Sequence, residues 1–402
     1  MIMTRNIFPT KKLSKEFSGL ELFEAAGYIK KLSSGFYAYL PLGNELLQNL
    51  SNQIRSIATD SGFYEISIPL LQDAELWQLS GRMKKYANSF FTISNPDGSD
   101  YIVSPTCEEA VLSLYDGLHL NDDALPWRVF QIGERERNEL RPAYGLVRSK
   151  SFVLADFYSL SKSDSEASNE LDQLSSMISI LLTRLGIEIK KAKYLYQDNT
   201  FSFWTNSKSV QCHPIICNNC NSSFRHNQHI SGCPICSSSN ISVVDGTELA
   251  DVAVKGCEIP NSMGVTTNNC EQIFLTVAGI GVGRLAQILA EQHSDKNGIV
   301  WPYEIAPYKV HIVSNDERKS EAIALHDKLI ASGIKSIVDL RNLSMSKKLI
   351  DADLIGCPEQ VIFGKNTKDS QAELKNRLTG EKRHISTSSI SSYILKGGNH
   401  NE

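Results

Sequence analysis

Arg137-Asn-Glu139, followed by Arg148, Phe152 and Asp156, is the stretch of this chain that carries most chemistry. The spacing is R-x-E, a loop, and then R-x-x-x-F-x-x-x-D. If residues 131–139 and 151–159 are antiparallel strands, alternate side chains share a face. Arg137 and Glu139 then point the same way, and the turn between the strands carries Arg141 and Arg148. A guanidinium fork suits a phosphate. An aromatic ring beside a second arginine suits an adenine stacked between ring and guanidinium. The plainer alternative is a surface hairpin laced with salt bridges.

Outward from this hairpin the pattern is mixed. Residues 46–58 read as an amphipathic helix closed by Gly62 and followed by an extended segment, 64–71. Residues 161–185 start polar, with Ser161 and Ser163 as possible caps. They continue as an apolar stripe of Leu171, Leu174, Ile178, Leu181 and Leu182 near the helical period. A sheet pattern resumes at 273–277 and runs into a helix at 284–293. After Trp301 and Pro302 come a strand at 310–314, a helix at 320–331, a strand at 336–339, a helix near Lys347 and a strand at 360–363. This is a compact α/β pattern, closed by a Ser-rich tail, 386–392.

Composition sets the outer limits. The 402 residues are 41% hydrophobic and 21% charged, enough apolar material for two or three cores. The formal charge of -4 excludes a strongly basic nucleic-acid binder but not a local basic face. No apolar run reaches the length of a membrane span, so no membrane association is expected. Arg5, Lys11 and Lys12 lie near the start without the apolar core of a secretory signal. A cytoplasmic location is expected, with a transit peptide as the alternative.

Of nine cysteines, five fall between Cys212 and Cys236, and an odd total without a signal speaks against a disulfide framework. Cys217 and Cys220 form one C-x-x-C pair and Cys233 and Cys236 another, separated by the twelve residues 221–232. Two such knuckles present four thiolates tetrahedrally, which suits a structural Zn²⁺. Unmetallated cysteines are the alternative, and Cys212, His213, His226 and His229 are spare ligand candidates. A closed four-sulfur site has no open position for catalysis.

Three signatures in order carry a family resemblance. Residues 63–71, ending past Pro69, resemble the first signature of class II aminoacyl-tRNA synthetases, a helix leading into a proline-bearing interface strand. The hairpin from Arg137 to Asp156 resembles the second. Gly279-Ile-Gly281-Val-Gly283-Arg284 resembles the third, where glycines permit close backbone approach. Nearer matches resemble bacterial prolyl-tRNA synthetases: Ala26-Gly-Tyr-Ile-Lys-Lys-Leu-Ser-Ser-Gly35, Leu40-Pro-Leu-Gly43, Ser104-Pro-Thr106-Cys-Glu108-Glu109, Glu139-Leu-Arg-Pro142, Ile299-Val-Trp-Pro302 and Asp351-Ala-Asp-Leu-Ile-Gly356.

The resemblance spans nearly the whole chain and implies an α/β (α+β) fold. Its parts are an antiparallel class II sheet flanked by helices, an inserted zinc ribbon and a C-terminal α/β anticodon-binding-like domain. The expected boundaries are 1–204 and 246–302 for the catalytic domain, 205–245 for the ribbon and 303–402 for the last domain. The implied reaction is attack of an amino-acid carboxylate on the α-phosphorus of ATP, giving an aminoacyl-adenylate and pyrophosphate, then transfer to tRNA. By resemblance, Thr106 and Glu108 hold the imino group of the amino acid, proline or a related one. Carboxylate plus hydroxyl suits a protonated amine, while a helix cap with a first-turn acid is the alternative for this pair. Arg137 is implied at the α-phosphate and carboxylate, Arg284 at the γ-phosphate, and Glu139 at the adenine or the metal. Arg148 and Phe152 complete the ATP set, with Mg²⁺ bridging phosphate oxygens. A homodimer through the first-signature strand is implied as well.

The chain also departs from the family. The usual large editing insertion has no room. The family's Gly-Ile-Glu-Val-Gly-His-Ile-Phe reads Gly246-Thr-Glu-Leu-Ala-Asp-Val-Ala253 here, so Asp251 replaces a histidine and Ala253 a phenylalanine. Of an element used near the anticodon, only Asp339 and Arg341 remain in Asp339-Leu-Arg-Asn-Leu-Ser-Met-Ser346. Two rivals to a prolyl-tRNA ligase therefore stand. One is a paralogue with an altered amino acid or acceptor. The other is a catalytically silent, synthetase-like RNA-binding or regulatory subunit.

Overall fold

The structure is a computed structural model and describes residues 2–3, 10–14, 16–120, 122–195, 199–225, 230–269, 271–365 and 367–395. Contacts divide the chain into two units. One comprises residues 33–36 and 51–286, the other 1–32, 37–50 and 287–402.

The first unit is built on a ten-stranded sheet. Its centre is antiparallel: Trp127–Glu136, Ser151–Ser161, Phe274–Gly281, Gly246–Gly256 and Thr200–Asn206 follow one another across the sheet. The hairpin expected from the sequence is there, with Gln131 opposite Asp156 and Glu136 opposite Ser151. Its first strand stops at Glu136, however, so Arg137 and Glu139 stand on the loop rather than in the ladder. The cause is local. Asn138 donates its backbone N–H to Ser89 and Glu139 donates to Arg137, which turns the chain out of the sheet.

The helix Asp164–Arg184 covers this sheet. Ser163 caps it by accepting from the Glu166 N–H, worth about 1 kcal/mol, while Ser161 belongs to the preceding strand. The predicted stripe Leu171, Leu174, Ile178, Leu181 and Leu182 is buried. Arg128 ties the helix down with two bonds to Glu170, at 2.7 and 2.6 Å. Of the extended segment 64–71, only Tyr64–Glu65 joins this sheet, at one edge. Leu71–Asp73 instead opens a separate three-stranded sheet with Asp100–Val103 and Phe91–Ser94.

The cysteine-rich segment is not an appendage. Its strands Ile215–Cys217, Ser223–Arg225 and Ile241–Val243 extend the large sheet, because Ser223–Arg225 pairs in parallel with Lys190–Tyr194.

The second unit carries a six-stranded mixed sheet. Ile2–Met3, Ser336–Asp339, Val310–Ser314 and Glu359–Phe363 run parallel; Gln371–Asn376 and Lys382–Ser386 add antiparallel. Lys319–Ala331 and Ile390–Leu395 seal the face formed by Val310, Ile312, Val338 and Val361. The last of these helices grows out of the Ser-rich tail and buries Ile390 and Ile394. Among the described residues no helix is long and apolar enough to cross a membrane.

Candidate active site

One cavity of about 440 Å³ opens on the antiparallel sheet of the first unit. Thr106, Glu108, Arg137, Glu139, Arg148, Phe152 and Arg284, all chosen from sequence, line it together. They come from three places: the loop before the helix Glu108–Leu118, the hairpin, and the junction of Phe274–Gly281 with the helix Val282–Gln292.

Arg137 is held rather than loose. Its Nε and Nη2 donate to the Pro105 carbonyl at 3.2 and 3.1 Å, and its guanidinium carbon lies 5.1 Å from the Phe152 ring centre. One edge of the guanidinium is thus spent on positioning. Arg148 is gripped in the same manner by Glu139, with Nε–Oε2 at 2.8 Å and Nη2–Oε1 at 2.9 Å. Those bonds hold Glu139 below the usual carboxylate range. Arg284 donates Nε to the Val147 carbonyl at 2.9 Å and Nη1 to the Glu248 carbonyl at 2.8 Å.

The loop residues make a tight acidic corner. The Thr106 hydroxyl donates to the Glu108 carboxylate instead of capping a helix, and the helix has no side-chain cap. Burial alone would raise Glu108; Arg82 at 3.2 Å, the Thr106 hydroxyl and Lys255 together outweigh it and leave Glu108 below its ordinary value. Its neighbour Glu109, fully buried, accepts from Arg82 at 3.0 Å and Ser80 at 2.8 Å, yet burial still pushes it up to about 7. Arg82 itself is stacked between Trp77 and Tyr86, at 5.1 and 5.4 Å.

Sequence reasoning missed Arg82, Glu109, Glu248 and Lys255. For Arg82 a faint signal existed: a cation after Gly81 with Trp77 and Tyr86 on either side. Its carboxylate partners lie more than twenty positions away, and no local pattern announces them.

The cavity floor is one rung of the sheet. Asp251 pairs with Gly279, and Gly279 with Asp156. A Cβ on Gly279 would sit 3.5 Å from Asp251 Oδ1 and about as near Leu154; glycine keeps this floor open. Burial pushes Asp156 up to about 7, despite Arg135 at 3.3 Å, and raises Asp251 as well.

Cys217, Cys220, Cys233 and Cys236 converge, their sulfur atoms all within 4.8 Å of one another. Cys217 and Cys236 stand 3.6 Å apart, as do Cys220 and Cys233. Four sulfurs bound tetrahedrally to zinc lie about 3.8 Å apart, so the cluster is close to the spacing the ion requires. His213 is turned to Asp245, at 3.0 Å, and Cys212 bridges to Gly246 through its backbone. Neither belongs to the cluster. His226 and His229 lie outside the described residues.

A catalytic antiparallel sheet whose hairpin carries the two arginines, with a glycine-rich strand end delivering a third, is the core of class II aminoacyl-tRNA synthetases. Residues 91–293 match the family model for the tRNA synthetase class II core domain (G, H, P, S and T), and 307–397 match that for the anticodon binding domain. Within that class the chain belongs to the proline--tRNA ligase family. It is 31% identical to the proline--tRNA ligase of Ehrlichia chaffeensis (strain ATCC CRL-10679 / Arkansas) over 92% of this chain and 93% of that protein. With the proline--tRNA ligase of Rickettsia bellii (strain OSU 85-389) the identity is 24%, over 98% and 99% of the two chains. The fold is similar to that of Giardia lamblia prolyl-tRNA synthetase in complex with prolyl-adenylate. There the TM-score is 0.72 at 16% identity, covering 92% of this chain and 74% of the other.

Proposed function

We propose that this chain is a proline--tRNA ligase, activating proline with ATP and passing it to tRNA. The observation that carries the reading is the convergence of Thr106, Glu108, Arg137, Phe152 and Arg284 on one cavity in a chain of this family. Glu108, kept ionised, and the Thr106 hydroxyl bind the protonated imino group. Arg137 spans the proline carboxylate and the α-phosphate, neutralising both so that the carboxylate oxygen can approach phosphorus. The adenine stacks on Phe152 beside Arg148, which Glu139 holds in place. Arg284, fixed by two backbone carbonyls, meets the γ-phosphate. Bound Mg²⁺ supplies further charge neutralisation on the phosphate oxygens. Catalysis in such a site is positioning and electrostatics.

The four cysteines hold a structural Zn²⁺ in this reading. A dimer forms through the Tyr64–Glu65 edge of the sheet, where Tyr64 is 76% exposed. The catalytic domain runs over 1–204 and 246–302, interrupted by the module 205–245, and 303–402 receives the anticodon arm.

Proline-dependent exchange of pyrophosphate into ATP, followed by charging of tRNA, tests the activity. Metal analysis of protein purified without chelator, with one zinc per chain expected, tests the module; sedimentation tests the dimer. A specific observation favours a second reading, an altered amino acid. Asp251, on the cavity floor, adds a carboxylate where the family has a histidine, and it invites a polar or cationic side chain. Exchange measured across the twenty amino acids separates the two: proline ahead by several decades sustains the first, and another amino acid ahead sustains the second.

A further inference from the structure

The cysteine module ends on the wall of the catalytic cavity. Phe224, on the strand Ser223–Arg225, packs against Cys217 and Cys233. The next residue along the strand, Arg225, points away from the cysteines and meets Glu248 Oε2 at 2.7 Å. Tyr194 donates its hydroxyl to the same oxygen at 3.0 Å, and the Arg225 guanidinium lies 5.5 Å from the Tyr194 ring. Gln211, near the start of the module, accepts from the Glu248 backbone N–H at 3.1 Å. Glu248 is thus gripped by three groups from or beside the module. Glu248 in turn lines the cavity, and its carbonyl accepts from Arg284 Nη1 at 2.8 Å.

We infer that the four-cysteine module is a positioning element of the ATP side of the site, with Arg225 as its positioning residue. Metal at the cysteines fixes Phe224 and therefore the strand; the strand fixes Arg225, Arg225 fixes Glu248, and Glu248 fixes the direction of Arg284. Among the described residues none of these contacts reaches the acidic corner at Thr106 and Glu108, so the module governs the nucleotide and not the amino acid. The inference rests on the placement of ATP at Arg284 proposed above. It also makes activity dependent on metal at a closed site that touches no substrate.

The test uses the full-length, zinc-loaded protein and its Arg225→Ala and Arg225→Lys variants. Zinc content and Tm of each are compared first, then the Kd for ATP by calorimetry without amino acid, then KM for ATP and for proline in exchange. With zinc retained, Arg225→Ala is expected to weaken ATP about tenfold, the scale of one charge-assisted contact. Proline KM should stay within twofold, and Arg225→Lys should recover most of the loss. Zinc removal from the wild type by a chelator should weaken ATP by a similar factor. An Arg225→Ala protein that keeps zinc and binds ATP as the wild type does overturns the inference. So does an equal rise in both KM values, which marks a merely structural residue. Failure of the activity proposal looks different: a wild type that binds ATP but exchanges pyrophosphate with no amino acid. The Kd comparison still tests Arg225 in that case.

Discussion

Two buried ionic clusters, one in each unit, have opposite characters. At the cavity, Asp156 on its floor and Glu109 buried behind its wall are driven up to about 7 although each touches an arginine. In the C-terminal unit, Arg341 reaches Asp339 through Nε at 2.9 Å and Nη2 at 2.7 Å, and Asp351 at 2.8 Å, while Lys347 completes Asp351 at 2.7 Å. There burial alone would raise Asp339, but the Arg341 bonds win and hold it below its ordinary value. In the first cluster burial outweighs what the arginines supply, and the cluster borders open space. The second is closed on itself. An unbalanced cluster beside a cavity marks where a ligand's charge is awaited; a balanced one holds a fold together. Asp339 and Arg341, the two survivors of the family's anticodon element, therefore serve packing in this chain. Each is at most 7% exposed, which leaves neither free to read RNA.

The comparison can be broken at Arg341. Arg341→Ala leaves Asp339 and Asp351 buried with too little positive charge, and such losses cost about 3–5 kcal/mol. We expect a marked fall in Tm with pyrophosphate exchange unchanged per folded molecule. Exchange falling while Tm holds would make this cluster functional after all.

Arg137→Ala is the mirror experiment. Its guanidinium leans on a carbonyl and a ring and closes no ion pair among the described contacts, so the fold should barely notice. Exchange should drop by about 3 kcal/mol of transition-state stabilisation, on the order of a hundredfold, with Tm kept. A large loss of Tm would show that the cavity cluster, too, is mainly structural.

Arg82 tests the acidic corner by degree. It depresses Glu108, so Arg82→Ala lets burial raise that carboxyl. Proline KM should then rise about tenfold, as for loss of one charge-assisted contact. The defect should deepen as pH falls, since a protonated Glu108 cannot hold an imino cation. Arg82→Lys should restore part of both. A KM change with no pH dependence would remove Arg82 from the positioning of Glu108.

The second cluster shows how far the sequence could be read. Strands 310–314 and 336–339 are where the apolar pattern put them, because runs such as Val310–Ser314 are buried on both faces and declare themselves locally. Arg137, Phe152 and Arg284 were legible through fixed spacing within a hairpin and a strand–helix turn. What the sequence hid was set at long range. The parallel pairing of Ser223–Arg225 with Lys190–Tyr194, which merges the cysteine module into the catalytic sheet, rests on a three-residue strand too short to show a period. The Arg82–Glu108–Glu109 corner likewise joins a short turn to a distant helix start. Nor could spacing tell that Asp339 and Arg341 face each other inside the protein, since the same pair suits a solvent-exposed loop.

The smallest expected effect separates the clusters by pH. Burial raises Asp156 to about 7, far above its unfolded value near 4. Between those values the folded state holds a proton that the unfolded state has lost, so this group's contribution to stability falls as pH rises from about 4 to about 7. Glu109 has the same sign. Asp339 is the reverse: its depressed value gives stability that is present above about 4 and lost only as acid protonates the folded carboxylate. Asp156→Asn should therefore gain on the wild type, by about 3 °C in Tm, as pH goes from 4.5 to 8. Asp339→Asn should trail the wild type throughout that range and close the gap only below pH about 4. Thermal unfolding of both variants across pH 3 to 8 measures the two trends. Parallel trends would mean that the clusters do not differ in charge balance, and that Asp339 and Arg341 deserve the same functional suspicion as the cavity acids.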